Sequence, residues 1–333
     1  MPRMITSCAT HLTRPLSLVM CAGLGLAIPQ WAVAQSTYPV RPLRFIVAAG
    51  PGGVADTIAR TVGQKLSDRF GQSVVSDNRA GAGGLVGAKT VATATPNGYT
   101  LLVITSAIVS SAATSKDAVD PRTQLTPIAF GAGAAIIMAA HGSTSAKNLM
   151  DFVRNIKGGR FTYSTAGHGT SAHLMAEYVF KAAGGLDAIH VPFPGGLAPL
   201  TAVVSKEVDL TVPTLPTAWP LIKDGRLRAL AVASHKRIDA LRDVPTLGEA
   251  GFLDFEHISW IGFFGPPGMP VALIRTLDTE INNALRQPDV RERLVNLGFE
   301  SRTSSQREFA RYVGSEMAKW EQIVKVMGST ALQ

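Results

Sequence analysis

Arg44-Phe45-Ile46-Val47-Ala48-Ala49 runs into Gly50-Pro51-Gly52-Gly53, and Val54-Ala55-Asp56 follows at once. An apolar β-branched run, a glycine turn and the first residues of a helical stripe make a strand, a loop and a helix, the repeating unit of an α/β sheet. A turn of this kind aims several backbone N–H groups and the positive end of a helix dipole at one point, so it is a candidate anion site. The stripe that follows is helical: Val54, Ile58, Val62, Leu66 and Phe70 recur every fourth residue, and Gly71 supplies the stop.

Outward from this unit the same alternation continues. Short apolar runs predict strands over 43–48, 73–76, 100–104, 160–164, 188–191, 208–212 and 227–233, with helical-period segments between them. Near the end, Ser305 and Glu308 form a capping box, and Phe309, Val313, Met317, Trp320, Val324 and Met327 continue a core-facing stripe. The expected fold class is α/β, with two lobes, each a mostly parallel sheet flanked by helices, because a chain of this length exceeds the usual size of one core. The seam falls in 127–140 with a return near 253–264. This assigns 36–138 plus 258–333 to lobe 1 and 139–257 to lobe 2. Two crossings let the lobes close about a hinge.

The N-terminus reads as a secretory signal over residues 1–34. Arg3 and Arg14 precede the apolar run 16–28, and Ala32-Val33-Ala34 is a small-x-small cleavage pattern. Its removal takes both cysteines, Cys8 and Cys21, and lowers the formal charge of +8 by two. That excludes disulfide frameworks, zinc-thiolate sites and cysteine nucleophiles together. The remaining Lys and Arg are scattered rather than clustered among aromatics, so no nucleic-acid surface is expected; a modest positive balance favours small acidic ligands.

Four strand ends turn through Gly, Pro, Ser or Thr into a helix, at 49–56, 104–107, 164–171 and 191–196. In open α/β sheets ligands lie beyond the carboxyl ends of strands, so the four together predict a cleft lined with backbone donors. Singly, such turns serve steric ends: Thr170 or Ser171 suits a helix N-cap, and Asp56 complements a dipole. Gly81-Ala82-Gly83-Gly84-Leu85-Val86-Gly87 has the spacing G-x-G-x-x-x-G, one residue off the dinucleotide fingerprint, and no nucleotide site is expected. His168 and His173 are five apart, which does not stack two ligands on a helix face, and no third ligand lies near in sequence; no metal and no cofactor are expected. No G-x-S-x-G elbow is present. A secreted hydrolase using Ser171 or Thr170 with His173 is the alternative reading.

Several ordered motifs give the chain a resemblance. They are Pro51-Gly52-Gly53 with Asp56, Asn78-Arg79-Ala80-Gly81, Pro96-Asn97-Gly98-Tyr99, Ser164-Thr165-Ala166-Gly167-His168-Gly169-Thr170-Ser171-Ala172-His173-Leu174, His190-Val191-Pro192, and Asp243-Val244-Pro245-Thr246. From Tyr38-Pro39-Val40 to the Trp320 helix, the sequence resembles the substrate-binding proteins of tripartite tricarboxylate transporters, the Bug-type periplasmic receptors. The resemblance implies a type II periplasmic binding fold, a monomer that closes on a small carboxylate and delivers it to a membrane transporter or a sensor, with no chemistry of its own. Carried over by position, it implies ligand contacts from Ala49, Gly50, Gly52, Gly53, Asp56 and Ser106 in the first lobe. In the second it implies Ala166, Gly167, His168, Gly169, Thr170, Ser171, Phe193, Gly195 and Thr214.

The chain also departs from the family pattern. Ala48-Ala49-Gly50-Pro51 stands where an aromatic and two prolines are common, Phe193-Pro194-Gly195 replaces Tyr-Lys-Gly, Pro213-Thr214 replaces a frequent Asp, and His168 a frequent Asn. These changes remove a hydroxyl, an ammonium and a carboxylate, so a less polar or aromatic carboxylate is expected to fit better than an amino acid.

Overall fold

Leu43–Val47 (β1) is exposed only at Arg44; the other four side chains are buried, as in a strand covered on both faces. The computed structural model describes residues 38–156, 159–193, 197–253, 255–300 and 303–328. After β1 the chain enters Val54–Phe70 (α1), whose Ile58, Val62 and Leu66 are fully buried, and Gly71 ends it in the left-handed conformation at φ 63°. A side chain at Gly71 would strain that cap.

Val74–Asn78 (β2), Leu85–Ala92 (α2), Thr100–Thr105 (β3), Ala107–Thr114 (α3) and Thr126–Ala135 (β4) complete the first half. The chain then changes sheet within one residue. Ile137–His141 (β5), Leu149–Asn155 (α4), Arg160–Thr165 (β6), Ser171–Ala182 (α5), Asp187–Pro192 (β7), Ala198–Val204 (α6), Leu210–Thr211 (β8), Leu215–Lys223 (α7) and Leu227–Val232 (β9) follow. Ile258–Gly265 (β10) returns to the first sheet, followed by Val271–Arg286 (α8), Pro288–Asn296 (α9), Phe299–Glu300 (β11) and Gln306–Met327 (α10).

The six-stranded sheet has the order β11-β4-β10-β3-β1-β2 and the five-stranded sheet β7-β6-β8-β5-β9. In the first sheet β1 to β4 run one way, with β10 and β11 reversed; in the second only β5 is reversed. This is the expected two-lobed α/β architecture of mostly parallel sheets flanked by helices. The two crossings are bonded to each other: Ala233 N–H donates to Ile136 O at 2.9 Å, and His257 N–H donates to Ala233 O at 3.1 Å.

One apolar cluster joins the first sheet to α1 and α8 through Phe45, Ile58, Val62, Phe263 and Ile281. Another lies between the second sheet and α6 and α7, and the largest runs from α10 and α3 continuously into α5 and β6. The capping box of Ser305 and Glu308 forms, and Phe309, Val313, Met317, Trp320 and Met327 are buried. Residues 126–135, expected only as a seam, form the long strand β4. Its Gly131 and Gly133 weaken β-propensity but have a steric reason: a Cβ on Gly133 would lie 2.9 Å from Ile258 Cγ2, and one on Gly131 3.0 Å from Phe263. Among the described residues no helix is long and apolar enough to cross a membrane. The signal segment, with Cys8 and Cys21, lies outside the described residues.

Candidate functional site

Two strand-to-helix loops carry the donors, and each is held from behind by a different chemistry. The first, between β1 and α1, is organised by Asp56, which is only 3 % exposed. Its Oδ2 accepts from Gly52 N–H and Arg60 Nε, each at 2.9 Å, and its Oδ1 accepts from Asn78 Nδ2 at 3.0 Å. Asn78 Nδ2 also donates to Ala49 O at 3.0 Å, closing a ring around the turn. Burial works against the Asp56 charge. Hydrogen bonds from Arg60, Gly52 and Asn78 and the Arg60 charge outweigh it and hold its carboxyl below the usual range.

These bonds change the expected roles. The Gly52 N–H, read as a ligand donor, is committed to Asp56, and the Gly53 N–H points to Gly50 O at 3.3 Å. Asp56 faces inward as the brace of its loop. The N–H groups of Ala49 and Gly50 have no protein partner among the described residues. The glycine run 81–87 supports the same loop from outside: a Cβ on Gly87 would meet Ala48 Cβ at 2.9 Å, and one on Gly84 would meet it at 3.4 Å. Those glycines permit close packing behind that turn.

The second loop, between β6 and α5, is organised by neutral groups. Thr165 Oγ1 reaches Gly167 O at 3.1 Å and His190 Nε2 at 2.7 Å. Thr170 caps α5, its Oγ1 accepting from His173 N–H at 3.3 Å and donating to Gly167 O at 2.9 Å. Gly167 and Gly169 have φ of 135° and 69°, where an L side chain is strained. Gly169 N–H donates to His173 Nδ1 at 3.3 Å. The N–H groups of Ala166, His168, Thr170 and Ser171 have no protein partner among the described residues. Phe193 adjoins this loop through its N–H bond to Thr165 O at 3.0 Å. Gly195 lies outside the described residues. Thr214 is half-buried at the start of α7, its hydroxyl 2.8 Å from that of Thr217, and it forms a bridge with Ile136.

Ser106 joins the lobes. Its Oγ, fully buried, lies 3.2 Å from Ser171 Oγ, and next to it Ser110 Oγ donates to Gly169 O at 2.9 Å. Helix α3 is thereby seated against the second loop.

His190 stands next to His173 and His168. The rings of His173 and His190 stack 3.9 Å apart at 23°, with Tyr163 stacked on the far side of His190 at 5.0 Å. Burial, reinforced by His168, lowers His173 to about 4; burial, with His173 and His168, lowers His190 to about 3. Both rings are neutral at pH 7. The Ser171 hydroxyl is paired with Ser106, that of Thr170 with Gly167 O, and His173 Nδ1 with a backbone N–H. No hydroxyl–imidazole pair of a hydrolase forms among them.

Asn78, Ser110, Thr165 and His190 were not singled out as site residues from the sequence. The parallel register that sets Val47 opposite Asn78, and Tyr163 opposite His190, brings in two of them. That register is invisible in a linear reading.

A family profile described as tripartite tricarboxylate transporter family receptor, TctC, matches residues 58–329. The chain belongs to that family. A UPF0065 protein of Bordetella pertussis is 34 % identical over 319 residues, covering 95 % of this chain and 98 % of its own. Among solved structures, MatC from Rhodopseudomonas palustris with bound malate is 30 % identical, with a TM-score of 0.80 over 86 % of this chain and 100 % of its own. A second R. palustris protein, solved with adipate, is 30 % identical, with a TM-score of 0.81 over 87 % of this chain and 98 % of its own. The fold and the receptor family expected from the motifs are both found.

Proposed function

We propose that this chain is an exported, monomeric receptor that closes its two lobes, 36–138 plus 258–333 and 139–257, on a small carboxylate. It then delivers the ligand to an integral-membrane transporter or to a sensor. The carrying observation is the pair of braced loops whose outer N–H groups, at Ala49 and Gly50 on one and Ala166, His168, Thr170 and Ser171 on the other, have no partner among the described residues. A charge-assisted hydrogen bond contributes about 1.5–3 kcal/mol, and micromolar affinity needs about 8 kcal/mol, so four such donors suffice. The malate and adipate held by related receptors support a ligand of that chemistry. Export by cleavage after residue 34 is part of the proposal.

A thermal-shift panel of mono- and dicarboxylates, aromatic acids and amino acids tests it. One acid should raise the melting temperature as RT ln(1 + [L]/Kd), and mass spectrometry should recover it unchanged. A panel without any carboxylate response, or turnover of the bound acid, defeats the reading. Preference for an amino acid would overturn the finer expectation of a less polar ligand.

A further inference from the structure

We propose that His168, His173 and His190 form a binding site for a borderline divalent transition ion of the zinc and nickel class. Each ring offers one nitrogen, and these atoms all lie within 4.8 Å of one another. Among the described residues this is the one such group of three. Zinc–nitrogen bonds of 2.0–2.1 Å put the nitrogens of a tetrahedral site about 3.3 Å apart, so the widest pair must close by about 1.5 Å and the stacked rings of His173 and His190 must turn until their in-plane lone pairs converge. His168 can supply its own share of that movement. It is exposed, it sits between two glycines, and its ring meets both partners edge-on, at 5.3 Å from His173 and 4.8 Å from His190.

One self-consistent hydrogen-bond pattern leaves two of these nitrogens bare. Thr165 Oγ1 has a single hydrogen; with that hydrogen directed at Gly167 O, the hydroxyl must accept from His190 Nε2–H. His190 Nδ1 is then a lone pair, buried and without a hydrogen-bond partner among the described residues. His173 Nδ1 is a lone pair too, since it accepts a long 3.3 Å bond from Gly169 N–H that an ion can displace. An imidazole whose far N–H is held by an oxygen acceptor has the usual second-layer arrangement of a metal ligand. Three imidazoles with no carboxylate or thiolate suit zinc, copper or nickel and not magnesium or calcium. The proposal uses the imidazole nitrogens of the same loop whose backbone donors carry the carboxylate reading, so zinc binding is measured with no acid present and its failure leaves that reading untouched.

The test uses the folded receptor, purified without a polyhistidine tag and stripped with EDTA. Titration with ZnCl2 in a calorimeter should give one ion per chain with Kd of about 10 μM or tighter, while MgCl2 gives no heat. His168→Gln, at an exposed position, should weaken zinc by about tenfold or more, and Thr165→Val, which removes the oxygen holding His190, by about 10- to 100-fold. His141→Gln, outside the cluster, should bind as wild type. Absence of saturable binding, or wild-type zinc affinity in both His168→Gln and Thr165→Val, overturns the proposal.

Discussion

The loop after β1 and the loop after β6 are both strand-to-helix turns, and they are braced by opposite means. The first is braced by one buried carboxylate that gathers Gly52, Arg60 and Asn78; the second is braced by hydroxyls and neutral imidazoles through Thr165, Thr170, His173 and His190. A single charged hub concentrates the organisation of its turn in one residue. A mesh of neutral bonds spreads it over several, so each member matters less. The two lobes should therefore respond unequally to mutation and to acid.

The widest gap is expected from Asp56→Ala, which leaves the Gly52 N–H and part of Asn78 without their acceptor. Unfolding in urea should show a loss of about 2–3 kcal/mol, less than a fully buried pair would cost because Arg60 is exposed. Affinity for the best carboxylate should fall with it. A loss under about 0.5 kcal/mol, ordinary for a surface change, would mean the acid is not a hub.

Next comes Gly87→Ala, whose new methyl group meets Ala48 from behind the first loop. Overpacking of this kind costs about 1–3 kcal/mol, read as a fall in melting temperature, and a neutral result would show that the loop yields freely. On the other side, a double-mutant cycle of Ser106→Ala and Ser171→Ala should give a coupling of about 0.5–1.5 kcal/mol, the worth of one hydrogen bond. Zero coupling would remove that pair from the contact between lobes.

Acid provides the gentlest contrast. The fold favours ionised Asp56, so its folded pKa lies below the unfolded one. Its stabilisation is full above the unfolded value and is lost as pH falls through the lower folded value. Protection of the Gly52 and Gly53 amides from hydrogen exchange, relative to the free-chain rate at each pH, should fall below about pH 4, and Asp56→Asn should abolish that dependence. An unchanged profile in the variant would assign the acid response to other groups.

Much of this was legible in the chain because local chemistry and tertiary structure agree. Helix α1 with its Gly71 stop, the Ser305 capping box and the anion-type turn at 50–53 are each specified by neighbours in sequence. What stayed hidden depends on partners far along the chain. Strand β4 carries Gly131 and Gly133 because Phe263, Ile58 and Ile258 fill the space a side chain would take. The imidazole cluster exists because β6 and β7 pair in parallel with Tyr163 opposite His190. The use of the Gly52 N–H by Asp56 was hidden for a different reason: residue types show which donors exist, and only geometry shows which are already taken.

The bonds that Ala233 makes, to Ile136 on one crossing and His257 on the other, set how the halves can travel. Two independent tethers would allow sliding and splaying as well as rotation. Joined through one residue, they share a single line, and under the proposed receptor reading acids of different length should be accommodated by rotation about that line to different angles.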